Sequence, residues 1–197
     1  MQTTIAIFSS ASRTRINIAA ALAAVILALA GNPVIAAGDD TAALLARLKE
    51  SKISLADGIA QAEKQYGMAI SAKFELDGGA LSLSVYNAKE GRGKDAEHNV
   101  LTEASGDAAK APWTSKLEVF EDKKHLTRSA MELTLVQMSR VSLADAVKKA
   151  SARGTVYSIT PTLAGGAVVY EVMVATAAGK SAKYMVDARS GNVTPGK

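Results

Sequence analysis

Two stretches of the chain carry apolar residues on one helical face. Leu55, Ile59, Ala62 and Tyr66 recur at the spacing of helical turns, and so do Leu143, Val147 and Ala150. Ser54 and Ser142 stand just ahead of these runs, with Asp57 and Asp145 three residues further on. A hydroxyl there accepts a hydrogen bond from an unpaired backbone N–H, so both positions predict helix starts of capping-box type. Gly67 and Gly154 are predicted to end the helices in a left-handed turn. The period then changes from helical to alternating. Ile70, Ala72, Phe74 and Leu76 precede Gly78-Gly79, and Leu81, Leu83 and Val85 follow it. A second alternation over 156–163 precedes Gly165-Gly166, and Val168, Tyr170, Val172 and Val174 follow. Each pattern predicts a β-hairpin. A third strand is expected over 183–187, with a weaker counterpart around 98–102. The fold class is α+β, each unit being one helix packed on an antiparallel sheet of about three strands.

The two units read as copies. At an offset of 88, residues 41–57 align with 129–145, and seven of the seventeen pairs are identical. Alanine richness inflates such a count, so the order of later landmarks carries more weight. Each helix-ending glycine is followed eleven residues later by a Gly-Gly-Ala triplet. Each alternating run then leads to an acidic-small-polar-glycine string, Glu103-Ala104-Ser105-Gly106 in one copy and Asp187-Ala188-Arg189-Ser190-Gly191 in the other.

Ahead of the copies, Arg13 and Arg15 precede an apolar stretch from Ile16 to Ala30, then Gly31-Asn32-Pro33 and the small-residue sequence Val34-Ile35-Ala36-Ala37. The apolar run is shorter than the roughly 20 residues a spanning helix needs. This layout predicts a signal peptide over 1–36, cleaved after Ala36, and a periplasmic or secreted body. Retention of the segment as an anchor is the alternative. The expected organisation is therefore a signal peptide over 1–36, a first module over 41–110, a linker over 111–128 and a second module over 129–197.

The capped helix, the glycine, the hairpin ending in Tyr170-Glu171-Val172-Met173-Val174 and the closing Tyr184-Met185-Val186-Asp187-Ala188-Arg189-Ser190-Gly191-Asn192-Val193 together resemble a PepSY domain. That family takes its name from the propeptides of secreted metallopeptidases and a spore-cortex germination protein. The resemblance spans roughly 54–106 and 142–193. The first copy departs from it where Ser82-Leu83-Ser84-Val85-Tyr86 replaces the Tyr-Glu-Val strand and Arg92-Gly93-Lys94-Asp95 enlarges the next turn. The resemblance implies association with peptidases or other envelope proteins, as an inhibitor or a folding aid.

Composition narrows the chemistry. Removing Arg13 and Arg15 with the signal segment lowers the net charge from +4 to +2, and no basic stripe interleaves with aromatics, so a nucleic-acid partner is not expected. There is no cysteine, which excludes thiol nucleophiles and thiolate metal sites. His98 and His125 each stand alone, so no metal site is expected, and cations beside His125 should oppose its protonation. Gly91-Arg92-Gly93-Lys94 lacks the ending of a phosphate loop and reads as a flexible turn. Glu75 with Asp77, and Glu171 with Asp187, are the carboxylate pairs that could do acid-base work, and solvated strand faces explain both. The linker reads as carrying one extra strand, from the alternation of Leu117 and Val119, with Trp113 as a cover over the junction of the copies or as a partner contact. No catalytic, cofactor-binding or metal residues are assigned and no cofactor is expected. The expected function is non-catalytic binding of a protein partner in the cell envelope, a peptidase among the candidates, with an exposed strand edge as the physical route. A structural or sensory component recognising a cell-wall or small-molecule ligand is the alternative. The membrane enters only through the signal segment before cleavage.

Overall fold

The computed structural model describes residues 36–196, with side chains from Asp40 onward. The apolar segment ahead of Ala36 and the cleavage expected for it lie outside these residues. Helix α1 (Ala36–Arg47) leads into α2 (Leu55–Tyr66), which begins where Ser54 accepts the Asp57 N–H at 3.1 Å and gives its hydroxyl proton to the Asp57 carboxylate. Ser142 and Asp145 repeat this arrangement at α4 (Leu143–Ala150). Asp57 and Asp145 thus return to the capping hydroxyl, where the glutamate of a capping box would reach the backbone.

Behind α2 come strands β1 (Met68–Asp77), β2 (Ala80–Ala88), β3 (Leu101–Asp107) and β4 (Lys116–Val119). Behind α4 come β5 (Thr155–Ala164), β6 (Ala167–Ala175), β7 (Ser181–Asp187) and β8 (Val193–Pro195). The expected third strand of the first copy lies a few residues later than 98–102. Gly67 and Gly154 do not form left-handed helical turns. Their φ values of 96° and 141° with extended ψ suit glycine alone, and a Cβ would meet the carbonyl oxygens of Ala88 and Ala175 at 2.6 and 2.3 Å.

The two hairpins share one sheet of order β4-β3-β2-β1-β5-β6-β7-β8, antiparallel throughout. The expectation of a separate sheet of about three strands per copy is corrected here. An isolated hairpin would leave β1 or β5 as an open edge, and pairing these strands closes both. The join is short, with Ala72 opposite Ile159 and Lys73 opposite Ser158. Strand alternation sends Ala72, Phe74, Leu83, Val85, Ile159 and Val172 to one face, where α2 and α4 lie side by side. Leu55, Ile59 and Ala62, with Leu143, Val147 and Ala150, are buried there as their spacing predicts. Each large apolar side chain so buried contributes about 1.5–3 kcal/mol. Tyr170 is fully buried, its hydroxyl donates to Val141 O at 2.7 Å, and desolvation pushes its pKa up.

The close of each half is also matched. Ala108 N–H donates to Leu81 O and Ala108 O accepts from Lys52 N–H. In the second half Ala188 N–H donates to Val168 O, and Ala188 O accepts from Arg140 and Val141. The counterpart of Asp187-Ala188 is therefore Asp107-Ala108, and not the Glu103–Gly106 string. Asp107 and Asp187 each accept backbone N–H bonds from the residues after them, which lowers both carboxyl pKa values.

The linker expected over 111–128 is largely structured. It contains β4 and the start of α3 (Lys123–Met138), which runs through the boundary expected at Arg128. Trp113 is 3% exposed, and its Nε1 donates to Gly106 O at 3.2 Å. Its own carbonyl accepts from Gln61 of α2. It packs within the first half, away from the β1–β5 join. Among the described residues no helix is long and apolar enough to cross a membrane.

Candidate binding groove

Helix α3 crosses the face opposite α2 and α4, and each of its ends is held by side chains. At its start Asp122 accepts the Lys124 and His125 N–H groups at 3.1 Å, and its second oxygen meets His125 Nδ1 at 2.6 Å. The His125 hydrogen bond lowers the Asp122 pKa. His125 also stacks on Phe120, with ring centroids 5.1 Å apart. At the far end Arg92 Nη1 donates to Val136 O, Gln137 O and Ser139 O at 2.6, 3.0 and 3.1 Å. Gln137 in turn donates to Lys94 O at 2.6 Å. The turn expected to be flexible caps the C-terminus of a helix, binding carbonyls of its last turn, of which Val136 O also accepts the Ser139 N–H at 3.1 Å.

The inner side of α3 buries Ser129, Glu132, Leu133 and Val136. Glu132 is 4% exposed and would be costly there as an unpaired charge. It accepts from the Ser71 hydroxyl of β1 and from Arg128 Nε at 2.8 Å. The Glu132 bond raises the Arg128 pKa.

The outer side of α3 faces β5 across an open groove of about 1020 Å³. Met131 and Leu135 line the helix wall, and Thr160, Pro161, Thr162 and Leu163 the strand wall. Met131 and Leu163 are 63% and 60% exposed. The groove exists because β5 leaves β1 after Ile159. Pro161 lies just past that point, and having no N–H it suits a strand side with nothing to pair. Lys123 and Lys124 stand at the groove's end in the first turn of α3, directly after the Asp122 cap. Cations at a helix N-terminus oppose the helix dipole. Neither lysine has an ion-pair partner among the described residues.

The residues that sequence reasoning weighed for chemistry are dispersed. Glu75 pairs with Lys73 and accepts from Ser84, and Asp77 ends its strand. Glu171 pairs with Lys183 at 3.4 Å, while Asp187 binds the Ser190 hydroxyl and the following backbone. The register sets Glu171 opposite Met185 and Asp187 opposite Val169, so these two carboxylates are not a cross-strand pair. His98 meets Asp95 in an exposed turn. Among the described residues no three His, Cys, Asp or Glu side chains converge in a way that could hold a metal ion. The groove escaped sequence reasoning, although Leu126, Ala130, Leu133 and Gln137 recur near helical spacing and could have revealed α3.

Residues 140–194 match the family model PepSY, described as peptidase propeptide and YPEB domain. The match runs from just ahead of the α4 cap into β8 and includes the β5 wall of the groove. It bears out the resemblance read from the second copy. No curated protein matches the chain. Among solved structures, the chain is similar to a Clostridium difficile 630 protein provisionally described as a lipoprotein. The two are 17% identical with a TM-score of 0.39, over 73% of this chain and 91% of that one.

Proposed function

We propose that this protein is an exported, non-catalytic module that binds a protein of the cell envelope, with peptidases the leading class of partner. The observation that carries this reading is the groove, which is apolar along its length, cationic at one end and walled on one side by β5 of the PepSY domain. An extended segment with apolar side chains for Met131, Leu135 and Leu163 and carboxylates for Lys123 and Lys124 complements it in both respects. The dispersal of the candidate carboxylates is consistent with binding alone.

The test is affinity capture of envelope peptidases by the full chain, followed by titration of each captured peptidase against groove variants. Met131→Asp alters an exposed side chain and should leave thermal unfolding unchanged, and Lys123→Glu/Lys124→Glu, which replaces cations that oppose the α3 dipole, should not lower it. Each is expected to weaken a groove partner by about tenfold or more, equivalent to about 1.4 kcal/mol. Equal affinity for both variants and the parent chain would remove the groove from the reading.

A further inference from the structure

The two ends of the sheet differ as edges. β8 has three residues and ends on Pro195, which has no N–H to offer. β4 is open, and all four of its side chains are exposed, with Leu117 and Val119 at 47% and 51%. Phe120 N–H donates to Leu101 O at 3.1 Å, and the register sets Glu103 opposite Glu118 and Ser105 opposite Lys116. Alternation along the strand therefore turns the backbone groups of Lys116 and Glu118 toward β3, and those of Leu117 and Val119 outward. No described side chain bonds these outward groups. Glu118 also lies directly across from Glu103, a like-charge pair that weakens a sheet, and it has no cation partner among the described residues.

We infer that β4 pairs antiparallel with β4 of a second copy of this chain, about a twofold axis at Leu117. In that register Leu117 exchanges both backbone hydrogen bonds with its own counterpart. Lys116 then faces Glu118 of the second copy, and Glu118 faces its Lys116. These are non-hydrogen-bonded positions, where Cα atoms approach to about 4.5 Å and side chains lie closest. Each incoming lysine also supplies the cation missing from the Glu103–Glu118 pair. The neighbouring registers fail. A slip of one residue sets outward backbone groups against inward ones, and a slip of two sets Glu118 against Glu118 or Lys116 against Lys116. The lysine that would guard a lone edge becomes a specificity element in a closed, isologous contact.

The chain has no cysteine, so single cysteines report this register directly. In the full chain under a mild oxidant, Leu117→Cys should form a covalent homodimer. Lys116→Cys and Glu118→Cys should cross-link when mixed and not when alone. Glu118→Lys should lower cross-linking of Leu117→Cys by about tenfold or more, and adding Lys116→Glu to the same chain should restore it. All these positions are exposed, so unchanged thermal unfolding confirms that the variants fold. The inference is overturned if Leu117→Cys stays monomeric or links to another protein, if Glu118→Cys alone links as readily, or if the charge swap has no effect. None of these outcomes depends on the groove.

Discussion

Arg92 shows at the scale of a single residue how a contact distant in sequence decides a local reading. Taken alone, Gly91-Arg92-Gly93-Lys94 is a turn with spare positive charge. In the fold its guanidinium spans three carbonyls at the end of α3, where a cation also complements the helix dipole. Arg92→Ala should destabilise the protein by about 1 kcal/mol, below the full value of a charged hydrogen bond because the side chain is exposed. Arg92→Lys should recover part of this loss, since an ammonium keeps the charge at the end of α3 although its shorter reach changes the position of the donor. Urea unfolding of the three proteins decides it, and equal midpoints would show that the carbonyls are satisfied without Arg92. The caps at Ser54 and Ser142 were legible in sequence because donor and acceptor lie three residues apart. The Arg92 contact was not, because its partners lie more than forty residues away.

Among the elements, α1 and β8 were missed, as was α3. Its Lys123-Lys124-His125 start reads as solvated linker, and Met131 and Met138 on its outer side blur the apolar stripe that would mark a helix. α2, α4 and both hairpins were legible because each buries one face, so that apolar and polar positions separate cleanly. The start of α3 carries a testable pH dependence. The Asp122 carboxyl is lowered from 3.8 by its bond with His125. A depressed carboxylate stabilises the fold above its unfolded pKa, and that contribution disappears as pH falls through the depressed value. Asp122→Asn keeps a capping side chain and removes the charge. The parent chain should therefore be the more stable at about pH 5, with the difference closing toward about pH 2. Chemical unfolding across that range checks it, and a difference that does not vary with pH would assign the effect to shape rather than charge.

In the whole molecule, two stretches with matching landmarks join edge to edge, and sequence periodicity cannot report that pairing. Periodicity shows which side of a strand is buried, but not which strand lies beside it. The β1–β5 join depends on residues 87 apart in the chain, Ala72 and Ile159, that are unremarkable one by one. The groove follows from how briefly those strands stay together, so it too was hidden, although its cations and Met131 were in plain view. Binding in that groove is the central claim, and lysine labelling of the free and partner-bound protein tests it most directly. Lys123 and Lys124 should lose reactivity in the complex, while Lys110 and Lys148, exposed elsewhere, keep theirs. Undiminished labelling of Lys123 and Lys124 in a saturated complex would contradict the account.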